Sequence, residues 1–116
     1  MKYMNLSLFL SNDNLRNTWI KEKDIEVYIR RSVRIIENKM HPCLDIGSVE
    51  VKEKKRGRGT FSCFLNRFEE EAKKLNRCVY IESILNPRLI KYLLGKGYQF
   101  VPGTSEISPN MYKFTS

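Results

Sequence analysis

The sequence predicts an α/β (α+β) domain built on a mixed, mostly antiparallel twisted sheet with flanking helices. Two observations lead there. A strand ending at Val51 runs through a basic, glycine-containing turn into an amphipathic helix, Thr60 to Leu75, and then into a β-branched strand from Arg77 to Ile84. Strand, helix and strand in that order make a βαβ unit, whose two strands must run parallel. Upstream, the runs Ile25 to Ile36 and Cys43 to Val51 are separated by a short loop, which suggests an antiparallel pair.

At 116 residues, the chain is one domain, 1–116, by size. Its ordinary apolar content argues against wholesale disorder. No run is long enough to span a bilayer. A formal charge of +8 calls for an anionic partner: a nucleic acid, an acidic protein or a phosphorylated cofactor. Cys43, Cys63 and Cys78 are odd in number and lack CxxC spacing, and His41 is the only histidine. That pattern argues against a metal site and against a disulfide framework. The three thiols are expected to be small buried hydrophobes in a reducing cytoplasm.

Taken in order, Met1 to Leu10 is too short in its apolar run for a signal peptide and is expected to be a strand with Leu6, Leu8 and Leu10 on one face. Asn12-Asp13-Asn14 is a turn or helix-start signal, and Trp19 with Ile20 should anchor the next segment on the core. Ile25 to Ile36 fits strand and helix periodicity equally; its isoleucine, valine and tyrosine content favours a long strand. Tyr28, Arg30 and Arg34 then line its opposite, solvated face. Glu37 to Pro42 reads as a connection, with Asn38 and Pro42 as turn formers. Gly47, inside the Cys43 to Val51 strand, marks a bulge or a close approach to the backbone.

In the main helix Phe61, Phe64, Leu65, Phe68, Ala72 and Leu75 form the buried stripe. Thr60 is the cap candidate, and Glu69 with Lys73 and Glu70 with Lys74 are the expected ion pairs. Asn86 and Pro87 open a second helix, with Leu89, Ile90, Leu93 and Leu94 as its apolar face and Gly95-Lys96-Gly97 as its end. Tyr98 to Val101 and Met111 to Thr115 are strands, the last closing the sheet, with Pro102-Gly103 a turn between them.

The chemistry concentrates at Lys52 to Phe61. A glycine turn at a helix N-terminus presents backbone N–H groups, and the basic side chains raise the potential around them, so the stretch is a phosphate cradle. The bland alternative is a solvated charged loop.

Arg56-Gly57-Arg58-Gly59-Thr60-Phe61 resembles the Q/R-x-x-G-x-G/A loop of the GNAT acyltransferase superfamily, in that family's place between its fourth strand and third helix. Asn86-Pro87-Arg88-Leu89 through Gly97-Tyr98 resembles its later segment, so the likeness covers residues 43 to 101. It implies a central pair of parallel strands that splay apart and an N-acetyltransferase using acetyl-coenzyme A as co-substrate. The pyrophosphate would lie on the amides of Arg56, Gly57, Arg58, Gly59, Thr60 and Phe61. The pantetheine arm would pair with Val49, Glu50 and Val51, with Asn86 at the start of the helix beside it. Acyl transfer to an amine needs a base, an oxyanion donor and a proton for the departing sulfur. Glu50 is the first choice of base and Glu82 the second, with the Val51 amide as oxyanion donor. The family's usual tyrosine acid falls on Leu93, so the alternatives are Tyr92, Tyr112 or departure of the thiolate unaided by a side chain, and Phe61 stands where the motif has a small residue. The acceptor amine and the oligomeric state are not encoded legibly. Competing readings are a small basic nucleic-acid-binding module gripping phosphates with Lys52 to Arg58, a protein-interaction domain, and a coenzyme-binding GNAT-like protein with little catalysis.

Overall fold

Two β-branched runs form the hairpin on which the sheet is built: β2, Ile25–Ile36, and β3, Lys39–Val51. The computed structural model describes residues 4–115. Glu37 and Asn38 turn the hairpin in two residues, both at positive φ (54° and 65°), the geometry that matches the twist of the flanking strands. The strand therefore starts at Lys39, earlier than Cys43, and Pro42 sits inside it opposite Val33. Proline is tolerated there because β4 joins β3 only from Cys43 onward, so β3 is still an edge at Pro42.

The other elements are α1, Leu6–Ser11; β1, Asn17–Glu22; a 3-10 turn, Glu53–Lys55; α2, Thr60–Lys74; β4, Cys78–Ile81; α3, Pro87–Gly95; β5, Gln99–Phe100; and β6, Met111–Lys113. Six strands make one sheet in the order β1-β2-β3-β4-β6-β5. Every adjacent pair is antiparallel except β3 and β4, which run parallel around α2, as the βαβ reading requires. The last strand does not form the closing edge; it inserts between β4 and β5.

One face of the sheet carries the main core. Ile20, Val27, Ile29, Leu44, Ile46, Val79 and Met111 project there and meet Phe9, Phe64, Leu65, Phe68 and Leu93 from the three helices. The alternation of β2 and β3 puts Tyr28, Arg30, Ser32 and Arg34 on the opposite face with Cys43, Asp45, Ser48 and Glu50.

Among the described residues the amino-terminal segment expected as a strand is mostly helical, with only Met4 bridging β1, opposite Ile20. Residues 1–3 lie outside the described residues, and Leu6–Ser11 is helical because Asn5 Oδ1 accepts the Leu8 N–H at 2.9 Å while Leu6, Phe9 and Leu10 bury an i, i+3, i+4 stripe. Leu8 points to solvent. Arg31 secures the other end of α1, donating to the Phe9 and Leu10 carbonyls at 3.0 and 3.2 Å. Trp19 lies outside the core, against Tyr28 on the opposite sheet face; Ile20 alone anchors β1. In α2 the cap is Gly59, with Thr60 already helical, and Leu75 at the helix end is exposed. Glu69 pairs with Lys96 and Lys113 and accepts the Tyr98 hydroxyl at 2.7 Å, while Glu71 takes Lys74.

The cysteines also depart from expectation. Cys43 and Cys78, opposite each other in the β3–β4 register, are buried and joined as a disulfide, and Cys63 is exposed and free. Partners 35 residues apart in sequence gave no spacing signal; only the strand pairing brings them together. Among the described residues, no group of metal-ligating side chains is found and no helix is long and apolar enough to cross a membrane.

Tyr98 links stability to pH. Burial, and then the hydrogen bond to Glu69, raise its ionisation far above the usual tyrosine value of 10.0. A proton held more tightly in the folded state stabilises fully below about pH 10, and that stabilisation is lost as pH rises from there toward the folded value. The melting temperature of the wild type should therefore fall above pH 10, and Tyr98→Phe should flatten that fall in a series of thermal scans.

Candidate cofactor cleft

β3 and β4 separate where the sequence placed an isolated glycine. Their parallel ladder runs from Cys43↔Cys78 to Ile46↔Ile81, and the Glu82 N–H makes the last bond, to the Ile46 carbonyl at 3.0 Å. Gly47 follows at once as the extra residue of a bulge, since Tyr28 pairs with Ser48 and Ile29 with Ile46. A side chain at Gly47 would meet Tyr28 Cδ2 at 3.1 Å, so the close approach is real. Beyond it β3 continues to Val51 while the chain after β4 turns away. The splay thus has a local cause: the bulge bends β3 where pairing with β4 stops.

The unpaired edge of β3 faces the opening. The Lys52 N–H bonds back to the Asp24 carbonyl at 2.9 Å, toward β2, so by strand alternation Val51 and Val49 present their backbone groups to the other side. Arg56 Nε takes the Val51 carbonyl at 3.1 Å and ties the glycine loop to the strand.

At the mouth, Gly57 and Gly59 adopt φ of 74° and 78°, conformations that suit glycine, and nothing lies within 4 Å of where a side chain would begin at either. Gly59 caps α2, whose first bond within the helix runs from the Cys63 N–H to the Gly59 carbonyl at 2.9 Å. The N–H groups of Phe61 and Ser62 therefore have no acceptor within the helix and lie at its positive end.

These parts surround one cleft of about 700 Å³. Its strand wall is Val49, Glu50 and Val51; its loop wall is Arg56, Gly57, Gly59, Thr60, Phe61 and Ser62; and Asn86, Arg88, Leu89 and Tyr92 close it from α3. Asn86 caps α3 by accepting the Arg88 N–H at 2.9 Å, with Pro87 at the first helical position. Phe61 packs partly against the core while still lining the cleft, and Leu93 is wholly buried one residue from Tyr92.

Three sequence candidates lie elsewhere. Arg58 is not among the lining residues. Glu82, at the apex of the fork, is engaged by Arg30 and Arg34 on the sheet face away from the helices. Tyr112 is buried, its hydroxyl within reach of Glu37 and Gln99, and its ionisation is raised by burial and by that glutamate. Sequence reasoning missed Ser62, Arg88 and Leu89. It also missed the charge cluster behind the fork, in which fully buried Asp45 accepts from Arg30 (3.3 Å), Arg34 (2.6 Å) and Ser32 (2.7 Å), because its members come from β2, β3 and the segment after β4.

No family model and no curated protein sequence matches the chain. Solved structures do. A KacTA–DNA complex superposes with a TM-score of 0.61 at 14% identity, over 83% of this chain and 61% of that chain. A point mutant of the AtaT toxin, bound to the C-terminus of the antitoxin AtaR and acetyl-CoA, gives 0.61 at 14% identity over 79% of this chain and 60% of its own. The fold is GNAT-like. The anti-CRISPR protein AcrVA5 is matched over its full length, with 85% of this chain covered, at a TM-score of 0.58 and 14% identity. The chain spans about three fifths of the length of the first two. Its mixed sheet with one parallel pair and flanking helices thus agrees with the expected architecture, including the fork.

Proposed function

We propose that the chain is an N-acetyltransferase that moves an acetyl group from acetyl-coenzyme A to a primary amine. The observation that carries this reading is the continuity of the cleft: a glycine-loop helix N-terminus at one end and an unpaired strand edge at the other, joined by Arg56. A diphosphate fits the first and a pantetheine arm, with its two amides, fits the second. The complex of the structurally similar AtaT with acetyl-CoA supports the choice of coenzyme.

The residues divide the work as follows. Arg56, Gly57, Gly59, Thr60 and Phe61 hold the pyrophosphate, with Arg58 adding charge from outside the cleft and Arg88 and Asn86 facing it from α3. Val49 pairs with the arm, joined by the N–H of Val51, whose own carbonyl already accepts from Arg56. From Val51 to Gly47 is four residues, about 13 Å of strand, so the thioester lies toward the bulge and the Val49 N–H is the better oxyanion donor. Glu50 takes a proton from the acceptor ammonium. The freed nitrogen attacks the carbonyl carbon, the C–N bond forms as the C–S bond breaks, and Tyr92 gives its proton to the departing sulfur. The second proton that the nitrogen sheds on becoming an amide restores the Tyr92 hydroxyl, while Glu50 releases the first to water. Glu82 serves the charge cluster at the apex rather than the transfer.

Calorimetric titration with acetyl-coenzyme A at two salt concentrations, beside a nucleic-acid control, tests the reading. Saturable coenzyme binding with weak nucleic-acid affinity supports it; steeply salt-dependent nucleic-acid binding without coenzyme binding favours the phosphate-gripping module instead. Tyr92→Phe is expected to lower kcat by about 100-fold with little change in coenzyme affinity, followed as free thiol released with lysine peptides and polyamines as acceptors. An unchanged kcat removes Tyr92 from the mechanism.

A further inference from the structure

Beside Glu50, the sheet face opposite the helices carries groups that the transfer chemistry leaves unused. Trp19 and Tyr28 pair across β1 and β2 with ring centroids 5.5 Å apart, and Trp19, the chain's single tryptophan, is 47% exposed. Tyr28 lies against Gly47, so this aromatic pair borders the bulge at which the fork opens. One strand repeat toward the loop, on the same face, Glu26 and Glu50 stand directly opposite each other. Like charges in that position repel, which costs stability unless a cation joins them. Lys21 reaches Glu26 at 3.5 Å, and Arg30, whose guanidinium carbon lies 5.6 Å from the Tyr28 ring centroid, is held there by Asp45 and Glu82. Glu50 also lines the coenzyme cleft, so the acidic pair and the cleft are continuous. All three helices contribute to the core on the other face.

Aromatic faces attract cations and cover alkyl chains, and paired carboxylates supply the opposite charge. We infer that the acceptor is an alkyl primary amine bound as its ammonium, with its chain on Trp19 and Tyr28 and its nitrogen between Glu26 and Glu50. Charge complementarity selects this occupant: on a chain of +8 the acids gather at the edge of the cleft where an ammonium must surrender its proton. The inference rests on the acetyl-coenzyme A reading, because the cleft supplies the direction of approach.

Two conjugates test it whatever the natural acceptor is: coenzyme A carrying a 4-aminobutyl group on sulfur, and coenzyme A carrying a pentyl group of nearly the same size. Both are titrated into the full chain by calorimetry while the emission of Trp19 is followed. The amino conjugate should bind about tenfold more tightly and change the emission. That preference should fall below about twofold in Tyr28→Leu and in Glu50→Gln. Equal affinities in the wild type, unmoved emission, or a preference that survives both substitutions would overturn the inference while leaving the coenzyme site intact. Failure of the pentyl conjugate and coenzyme A alike to bind would instead bring down the coenzyme reading, and the acceptor site with it.

Discussion

Gly59→Glu is expected to abolish acetyl-coenzyme A binding, weakening it by at least about 100-fold, or ~2.8 kcal/mol. Gly59 is the cap of α2 at φ 78°, with open space where a side chain would begin, so the new carboxylate would project into the mouth of the cleft. There it would compete for the helix N-terminus and repel a diphosphate. The helix itself tolerates the change, because an acidic group near the positive end offsets part of the ~1–2 kcal/mol cost of placing a non-glycine residue in the left-handed region. Gly59→Ala separates the two effects: it carries the backbone strain without the charge and should retain coenzyme affinity within about tenfold. Calorimetry on both variants, with circular dichroism to verify folding, decides the matter. Affinity of Gly59→Glu equal to that of Gly59→Ala would mean that the loop does not hold the phosphates.

The second large effect is on stability. Asp45→Ala is expected to cost about 3–5 kcal/mol, read as a shift of the urea midpoint at unchanged slope. Asp45 is fully buried and is shared by Arg30 and Arg34, with Ser32 on its other oxygen. Removing it leaves two guanidinium groups to Glu82 alone and strands the Ser32 hydroxyl. Arg34 also lies over the Tyr80 ring at 4.2 Å, so it cannot swing freely into water. Replacement of a buried ion cluster as a whole by apolar residues of similar volume is often neutral, whereas loss of one member is not. A double-mutant cycle with Arg34→Met should therefore show strong coupling, with the pair costing less than the sum of the single changes. Additive losses would show that Asp45 and Arg34 act independently.

The elements that were legible in the sequence were those whose residues act on near neighbours. Asn86 and Pro87 announced α3 because a cap and a fixed φ work within one turn. The stripe from Phe64 to Ala72 announced α2, and Gly47 announced the bulge, because an isolated glycine in a β-branched run has few other uses. The amino terminus misled for an equally local reason. Leu6, Leu8 and Leu10 alternate as a strand would, while Leu6, Phe9 and Leu10 fit a helix, and only the Asn5 cap and the Arg31 contacts separate the two.

Local chemistry thus sufficed to specify a basic glycine turn between a strand and a helix, suited to an anion, while the coenzyme was expected only from the resemblance of that turn to the GNAT loop. Tertiary pairing alone decided where the parallel strands part, that Cys43 meets Cys78, that β6 inserts beside β4, and that Arg30, Arg34, Asp45 and Glu82 gather behind the fork. Those features depend on register between segments distant in sequence, and register follows from burying one sheet face as a whole, a condition that no single stretch of residues expresses.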